Sequence, residues 1–279
     1  MADAIQTLPN TKNDLIISLV QKELIEKAML APFCRDLSGF AVKGAKSIAV
    51  PKLSSFAVTN RGFGAAGDAT ALTDSKDVIN LDFNAYLAWI EDHADIYQSS
   101  IEYRMEASKR AATAHAKYVD TQIVTGLIAV AGLSLGSVID ITKTDILDMR
   151  EQIVSSNGDL TQAVLVMAPD QEKAMLQIAD FMEADKYGSS NIPNGMIGRV
   201  YGVPVVISNL VPAGQAIMFE KDGFGVAFQQ GVNMSEQDDN AYGAEGKRVA
   251  VDQVFGVGGL ELGEQGVAGT LSPLVITLA

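Results

Sequence analysis

The sequence predicts a fold of the α+β class, and three observations carry that prediction. An apolar stripe of helical period runs from about residue 99 to 126, helix and strand patterns alternate from about 141 to 222, and most of the remaining chain has the pattern of β-strands. The chain has 279 residues, of which 48% are apolar and 20% are charged. This composition is globular, and it provides enough apolar material for one large domain or two small ones.

Charge and cysteine content exclude several classes of protein. The 21 basic and 34 acidic side chains give a net charge of -13, which opposes sequence-specific binding of DNA or RNA because phosphate contacts need clustered Lys and Arg. The single cysteine, Cys34, cannot form an internal disulfide, and we expect it to pack in the core. The first nine residues lack the features of a secretory signal. The uncharged stretches 121–139 and 200–219 are interrupted by Gly or Pro, so neither predicts a membrane span.

The first third of the chain predicts a helix followed by a long hairpin. Residues 10–29 have apolar side chains at every fourth position, which predicts an amphipathic helix. From Ala45 the period becomes that of a strand, and residues 45–53 and 78–90 are interpreted as the two arms of a hairpin. The glycine-rich segment 60–68 between them cannot pack a core, so we expect it to be mobile unless a neighbouring molecule orders it.

The rest of the chain predicts three helices and several short strands. Ser99 and Glu102 form the pattern of a capping box at the start of the longest helix, which is expected to end near Gly126. Helices are also predicted over residues 144–156 and 169–183, the second of them beginning with Pro169. Strands are predicted over residues 163–167, 203–207, 216–219, 225–232, 249–257 and 274–278.

The sequence contains no convincing catalytic, cofactor or metal site. The segment Gly62 to Gly67 matches G-x-G-x-x-G, but neither a buried strand nor a helix flanks it, so a flexible loop is the better interpretation. The acidic run Glu236 to Asn240 lacks the spacing of a calcium loop and is interpreted as a solvated turn. The histidine on the longest helix, His115, is interpreted as a surface or interface side chain.

One acidic cluster keeps an enzymatic alternative open. His93 lies beside Glu91, Asp92 and Asp95, a set that could bind a metal. A zinc site normally takes closely spaced histidines, whereas the second histidine of this chain is far along the sequence. An α/β enzyme acting through His93, Asp92 and Asp95 is therefore the alternative from a different class of protein, and it predicts a loss of turnover in His93→Ala.

The order of these elements resembles the major capsid proteins of tailed bacteriophages, which have the Hong Kong 97 fold. The most specific stretch is A-V-L-V-M-A-P-D at 163–170, the helix that follows it, and G-R-V-Y-G-V-P-V-V-I-S-N at 198–209. This series is similar to the A domain of that family. The resemblance implies an N-terminal arm over 1–43, an E-loop hairpin over 44–86, and a P domain over 87–140 with its long spine helix. It further implies an A domain over 141–222, return strands of the P domain over 223–258, and a C-terminal strand of the A domain over 259–279.

The resemblance also implies where copies of the chain would touch. Each E-loop of the family lies over a neighbouring subunit, which implies contacts by the loop-tip residues Asn60, Arg61, Gly62, Phe63 and Gly64. The loop facing the capsomer axis would contribute Tyr187, Ser189, Ser190 and Asn191. The P domain would contribute Glu236, Asp238, Asp239 and Asn240.

The implied function is the major capsid protein of a tailed phage with double-stranded DNA. Copies would self-assemble into hexamers and pentamers of an icosahedral shell in the virion, after synthesis in the host cytoplasm. The implied partners are a separate scaffolding protein, a portal, a decoration protein and DNA enclosed without sequence-specific binding, with no membrane, cofactor, metal or enzymatic activity. The same-fold alternative is an encapsulin, a compartment shell that encloses a cargo enzyme.

Covalent crosslinking between subunits, which occurs in some members of the family, is predicted to be absent. In those members a lysine of the loop attacks an asparagine of a neighbour, and Asn240 lies near the position of that asparagine. The loop tip of this chain has Arg61, while Lys52 and Lys76 lie well down the arms. A guanidinium stays protonated and cannot act as the nucleophile.

Overall fold

The computed structural model of the protein describes residues 29–53, 63, 74–92, 101–131, 133–134, 140–156, 158–178, 196–239, 246–260 and 275–278. Three α-helices lie in these ranges: α1 (Ile101–Val130), α2 (Lys143–Ser155) and α3 (Pro169–Leu176). The strands are β1 (Arg35–Asp36), β2 (Ser47–Leu53), β3 (Asp74–Asn80), β4 (Phe83–Asp92), β5 (Leu133–Ser134), β6 (Ala163–Met167), β7 (Met196–Val200), β8 (Val203–Ile207), β9 (Ala216–Glu220), β10 (Phe224–Asp239), β11 (Gly246–Gly259) and β12 (Val275–Leu278). The chain divides into two compact units, one made of residues 1–46, 81–125 and 226–257 and the other of residues 47–80, 126–225 and 258–279.

The first unit contains a four-stranded sheet in the order β1-β10-β11-β4. Strands β4 and β11 are antiparallel, with Phe83 opposite Phe255 and Glu91 opposite Lys247. Small side chains on α1 allow the helix to approach the sheet closely. The core cluster there consists of Ala112, Ala116, Val232 and Val251, with Trp89 and Met234 packed against it.

Aromatic side chains extend this core. The ring of Phe255 is fully buried, and its centroid lies 5.4 Å from that of Phe83 and 6.0 Å from those of Tyr118 and Phe228. Such pairs stabilise a core by about 0.5–1.5 kcal/mol each beyond the area they bury. The aromatic cluster therefore joins α1 to three strands of the sheet.

The second unit contains a six-stranded mixed sheet in the order β5-β12-β9-β6-β8-β7. Its central strand β6 is buried at every position and pairs in parallel with β8 and antiparallel with β9. Helix α2 begins with a capping box, in which the Thr142 hydroxyl and the Asp145 carboxylate satisfy each other's backbone N–H groups. Its buried face carries Ile146, Met149 and Ile153 into the core of the unit.

Strands β2 and β3 form a separate two-stranded sheet within the second unit. They pair antiparallel from Ser47 opposite Asn80 to Leu53 opposite Asp74, and no other described strand pairs with them. The prediction that residues 83–90 continue the hairpin arm is wrong, because Phe83–Asp92 forms β4 and pairs with β11. A break at Leu81 and Asp82 separates the two strands, and the buried Leu81 donates its N–H to the carbonyl of Lys46 at 2.9 Å.

The long helix α1 continues past the predicted end at Gly126. It extends to Val130, and the fully buried Leu127 continues the apolar stripe of Val119 and Ile123. A single glycine costs a helix about 1 kcal/mol, which burial of one leucine offsets. Within the described residues, no helix combines the length and hydropathy that a membrane span requires.

Other element boundaries in the structure also differ from the predicted ones. Helix α3 ends at Leu176, before the predicted end at 183, and residues 179–183 lie outside the described residues. Strand β10 extends to Asp239 and is hydrogen-bonded to β11, so residues 236–239 lie in a strand and not in the expected turn. Met29, the last residue of the predicted N-terminal helix, lies in a bend, and residues 1–28 are outside the described part of the chain.

The side chain of Gln171 on α3 is hydrogen-bonded to the backbone of Ile141, two residues before α2. Gln171 is 1% exposed, and its Oε1 atom accepts the backbone N–H of the buried Ile141 at 2.7 Å. Gln171→Leu leaves that N–H without its acceptor, so we expect the free energy of unfolding to fall by about 2 kcal/mol in denaturant titrations. The exposed Lys173→Leu is the control and should change it by less than about 0.5 kcal/mol. An equal effect of both variants would contradict the assigned role of Gln171.

Candidate functional site

The predicted hairpin tip is described at one position. Phe63 lies in a turn, and its side chain is 112% exposed relative to the reference state. Asn60, Arg61, Gly62 and Gly64 lie outside the described residues. Nothing in the described part of the chain covers this side chain, so it is available to contact another surface.

The other predicted contact residues are only partly described. Tyr187, Ser189, Ser190, Asn191 and Asn240 lie outside the described residues. Glu236, Asp238 and Asp239 lie at the end of strand β10, so the prediction of a solvated turn there is wrong.

One of these acidic residues is tied to the neighbouring strand. A carboxylate oxygen of Glu236 lies 3.8 Å from the Nζ atom of Lys247 on β11. The exposed Asp238 lies two residues further along β10. The end of β10 therefore presents one exposed acidic side chain, that of Asp238, while Glu236 is held against β11.

The acidic cluster around His93 is only partly described. Glu91 and Asp92 end strand β4, whereas His93 and Asp95 lie outside the described residues. Among the residues that the structure describes, no three His, Cys, Asp or Glu side chains converge as metal ligands would. Cys34 is 2% exposed, which confirms its predicted place in the core.

His115 is buried, so the prediction that it is a surface side chain is wrong. Its side chain is 3% exposed and both ring nitrogens are buried, with a backbone contact at Val251 that falls short of full hydrogen-bond geometry. Burial lowers the pKa of His115, an effect that the Asp252 carboxylate and the nearby Val251 carbonyl oppose. The imidazole is therefore neutral near pH 7, with one N–H donor and one nitrogen acceptor.

A groove of about 320 Å³ opens beside His115, between α1 and β4. Helix α1 contributes Ala114, His115 and Tyr118, and β4 contributes the consecutive residues 84–87. Successive side chains of a strand point to opposite faces, so four consecutive lining residues place the groove along the backbone edge of β4. All of the lining side chains are uncharged at neutral pH.

A buried carboxylate on α1, that of Asp120, binds the backbone of the first described residues of the chain. Asp120 is 4% exposed and accepts the backbone N–H groups of Met29 at 3.0 Å and Leu30 at 3.2 Å. Burial raises the pKa of Asp120, while the N–H groups of Met29, Leu30 and Ala31 act in the opposite direction. The segment that follows is also fastened, because Leu37 donates its N–H to the Val226 carbonyl of β10 at 2.8 Å.

A second buried carboxylate lies at the end of β9. Glu220 is 6% exposed, and its Oε2 atom has no hydrogen-bond partner among the described residues. Burial raises the pKa of Glu220, the Asp159 backbone N–H lowers it, and the carboxylates of Asp222 and Asp159 raise it further. Asp159 differs, because hydrogen bonds from Thr161 lower its pKa.

This arrangement predicts a pH-dependent stability that Glu220→Gln removes. The folded protein holds a proton on Glu220 more tightly than the unfolded chain does, so the stabilisation is present at low pH. It is lost as the pH rises from the ordinary glutamate pKa of 4.5 through the raised pKa of the folded state. We expect Glu220→Gln to unfold with less pH dependence in that window and to be about 1 kcal/mol more stable at pH 7.

Thermal melts of the wild type and of Glu220→Gln from pH 4 to pH 8 would measure both effects. Glu172→Gln is a matched control on α3, and we expect it to keep the pH dependence of the wild type. Melting temperatures that change equally with pH in the wild type and in Glu220→Gln would contradict the assigned role of Glu220.

The fold and part of the sequence match known capsid proteins. A structure from Mycobacterium phage Che8 superposes with a TM-score of 0.66 at 18% identity and covers 90% of both chains. The capsid structure of the cyanophage P-SCSP1u gives a TM-score of 0.68 at 16% identity, over 88% of this chain and 86% of the other. These neighbours confirm the predicted Hong Kong 97-type α+β fold.

The sequence match to one individual relative covers a smaller part of the chain than the match to the family model. The major capsid protein of Escherichia phage T5 is 28% identical over 108 residues, which cover 37% of this chain and only 23% of that protein. The family model described as "Phage capsid protein" matches residues 63–268, which is well over half of the chain. The chain therefore belongs to the phage capsid protein family.

Proposed function

We propose that this protein is the major capsid protein of a tailed phage with double-stranded DNA. Copies assemble into hexamers and pentamers of an icosahedral shell, and the protein carries out no enzymatic reaction. It is made in the host cytoplasm and resides in the virion. A separate scaffolding protein, a portal and a decoration protein are its further partners.

The two-stranded hairpin of β2 and β3 is the observation that carries this proposal. A hairpin of two strands is marginally stable alone in water, and this one pairs with no other described strand. Phe63 beyond its far end is fully exposed, and Val78 on its arm is half-exposed. In the proposed shell this hairpin lies over a neighbouring copy, as the E-loop does in this fold, and that copy covers these apolar side chains.

The proposal also includes the domain bounds and the other contact residues predicted from the resemblance. Residues 1–43 form the N-terminal arm, 87–140 and 223–258 the P domain, and 141–222 with 259–279 the A domain. Tyr187, Ser189, Ser190 and Asn191 face the capsomer axis. The acidic end of the β10–β11 hairpin, with Glu236, Asp238, Asp239 and Asn240, meets neighbouring capsomers.

The proposed shell is held together without covalent bonds. Lys52 and Lys76 both lie within the paired strands of the hairpin, opposite Ser75 and Pro51. They lie nine and fifteen residues along the chain from Arg61 at the predicted tip, where the crosslinking lysine of other members lies. Denaturing gels of purified particles should therefore show monomers only, and a ladder of multimers would overturn this part of the proposal.

Electron microscopy and sedimentation of the expressed protein test the proposal directly. We expect closed particles of megadalton mass at moderate salt, with an assembly threshold that falls as salt screens the net charge of -13. A small soluble oligomer at every salt concentration would contradict it. Particles from infected cells should contain DNA, whereas particles enclosing a cargo protein would indicate the encapsulin alternative.

A further inference from the structure

The base of the β2–β3 hairpin, where β2 begins and β3 ends, is buried on one face only. Ile48 and Ile79 are directly opposite each other in the hairpin, so their side chains point to the same face, and both are buried. The side chains of the other face, at residues 47, 49, 78 and 80, are all exposed. The hairpin is therefore held at its base through the face that carries the two isoleucines.

Gly258, near the end of β11, lies where Ile79 packs. A methyl group added at Gly258 would lie 3.0 Å from the Cγ1 atom of Ile79 and 3.6 Å from its Cβ and Cγ2 atoms. Carbon atoms in contact are normally about 3.5–4.0 Å apart, so the shortest of these distances leaves no room for a side chain. The φ angle of Gly258 lies outside the left-handed region, so the close approach of Ile79, and not the backbone conformation, requires glycine here.

The chain at Gly258 is the fixed side of this contact, and the hairpin is the movable side. Two residues after Gly258, the buried Leu260 donates its N–H to the carbonyl of Gly223 at 2.9 Å. The hairpin pairs with no other described strand, so no further backbone ladder fixes its direction. A side chain at Gly258 would therefore push Ile79 and tilt the hairpin, and would leave the chain at residues 258–260 in place.

The hairpin enlarges such a tilt toward its far end. Its base is closed by Leu81, which donates its N–H to the carbonyl of Lys46. Ile79 lies two residues from Leu81 along the chain, and Asp74 lies seven. A shift of Ile79 therefore grows about threefold at Asp74 when the hairpin turns as a rigid body about its base. The exposed Phe63 lies beyond this far end in the chain, so its position depends on the direction of the hairpin.

We infer that Gly258 is a positioning residue, which by lacking a side chain lets Ile79 pack closely and so sets the direction in which the β2–β3 hairpin projects. This inference rests on the proposed function, in which the hairpin has to reach a neighbouring copy. It predicts that bulk added at Gly258 redirects the hairpin and weakens assembly while the subunit stays folded.

Distances between spin labels on the unassembled subunit test the direction of the hairpin without any shell. The labels join Lys76→Cys on β3 to Thr144→Cys on α2 and, in a second sample, to Lys173→Cys on α3, while the buried Cys34 stays unlabelled. We expect Gly258→Val to change at least one mean distance by about 2 Å. Gly258→Ala should cause a smaller change in the same direction, and it carries the test if valine prevents folding. Distances equal to those of the wild type would overturn the inference.

Two further variants show whether the contact with Ile79 is responsible. Gly231→Val on β10 is the matched control, because a Cβ at Gly231 meets no atom within 4 Å, and it should leave both distances unchanged. Ile79→Ala removes the Cγ1 and Cγ2 atoms that a side chain at Gly258 would meet. Combined with Gly258→Val, it should return the distances toward the wild-type values. A change in Gly231→Val as large as that in Gly258→Val, or one that Ile79→Ala does not reduce, would overturn the assigned role of Gly258.

Sedimentation of the same variants connects the direction of the hairpin to assembly. We expect Gly258→Val to raise the protein concentration needed for assembly about tenfold, with a melting temperature within a few degrees of the wild type, and Ile79→Ala to reverse part of this rise. A lower melting temperature with unchanged assembly of the folded subunits would show that Gly258 serves packing alone and would overturn the inference. Failure of the wild type to form particles would refute the proposed function instead, while the spin-label distances would still decide the role of Gly258.

Discussion

Replacing residues 54–73 with the dipeptide Asn-Gly is expected to leave the subunit folded and to abolish its assembly into particles. Leu53 and Asp74 are directly opposite in the hairpin, so a two-residue turn can join them without changing the register of β2 and β3. The removed segment includes Phe63, the exposed aromatic that a neighbouring copy would cover. The shortened subunit therefore keeps both of its hydrophobic cores but lacks the segment that would contact the neighbouring copy.

Analytical ultracentrifugation and thermal melts separate the two effects. The melting temperature of the shortened subunit should stay within a few degrees of the wild type, and no particles should form at a hundredfold higher protein concentration. Phe63→Ala in the full-length hairpin is the graded control, and we expect its assembly threshold to rise about tenfold, equivalent to about 1.4 kcal/mol for each contact. Closed particles built from the shortened subunit would show that the hairpin tip does not hold the shell together.

The periodic parts of the fold could be predicted from the sequence because burial imposes them directly. Strand β6 is a continuous apolar run that is buried at all five positions, and α2 has its buried side chains at helical spacing. The boundary errors arose where pairing or burial overrode local signals. Residues 83–90 alternate just as the hairpin arm does, and only their pairing with β11 shows that they belong to a different sheet.

The polar contacts could not be predicted in the same way, because they depend on residues far apart in the chain. Asp120 accepts hydrogen bonds from residues about 90 positions earlier, and no local pattern indicates this. His115 could have been placed better, since it lies four residues from both Ala111 and Val119 on the buried stripe of α1. A polar residue on an apolar helical stripe indicates a buried group that needs a partner.

Asp120→Ala is expected to have the largest effect on the stability of the subunit, a loss of about 3 kcal/mol in the free energy of unfolding. The substitution removes a buried acceptor from the N–H groups of Met29 and Leu30, and hydrogen bonds to charged groups each contribute about 1.5–3 kcal/mol. Asp120→Asn retains one acceptor oxygen and should lose about half as much. The exposed Asp148→Ala on α2 is the control, and it should change the stability by less than about 0.5 kcal/mol.

The same substitution should act on the N-terminal arm more strongly than on the rest of the chain. Asp120 holds Met29 and Leu30, which directly follow residues 1–28 in the chain, so its loss frees these two residues while β10 still holds Leu37. Hydrogen exchange should therefore speed up first at residues 29–31, and limited proteolysis should cut near them in Asp120→Ala but not in Asp148→Ala. If exchange speeds up uniformly across the first unit, the carboxylate supports the core in general and does not anchor the arm. If exchange speeds up only at residues 29–31, the subunit stays folded while its N-terminal segment is no longer held at Met29. We then expect the protein concentration needed for assembly to rise together with the exchange rate at residue 29.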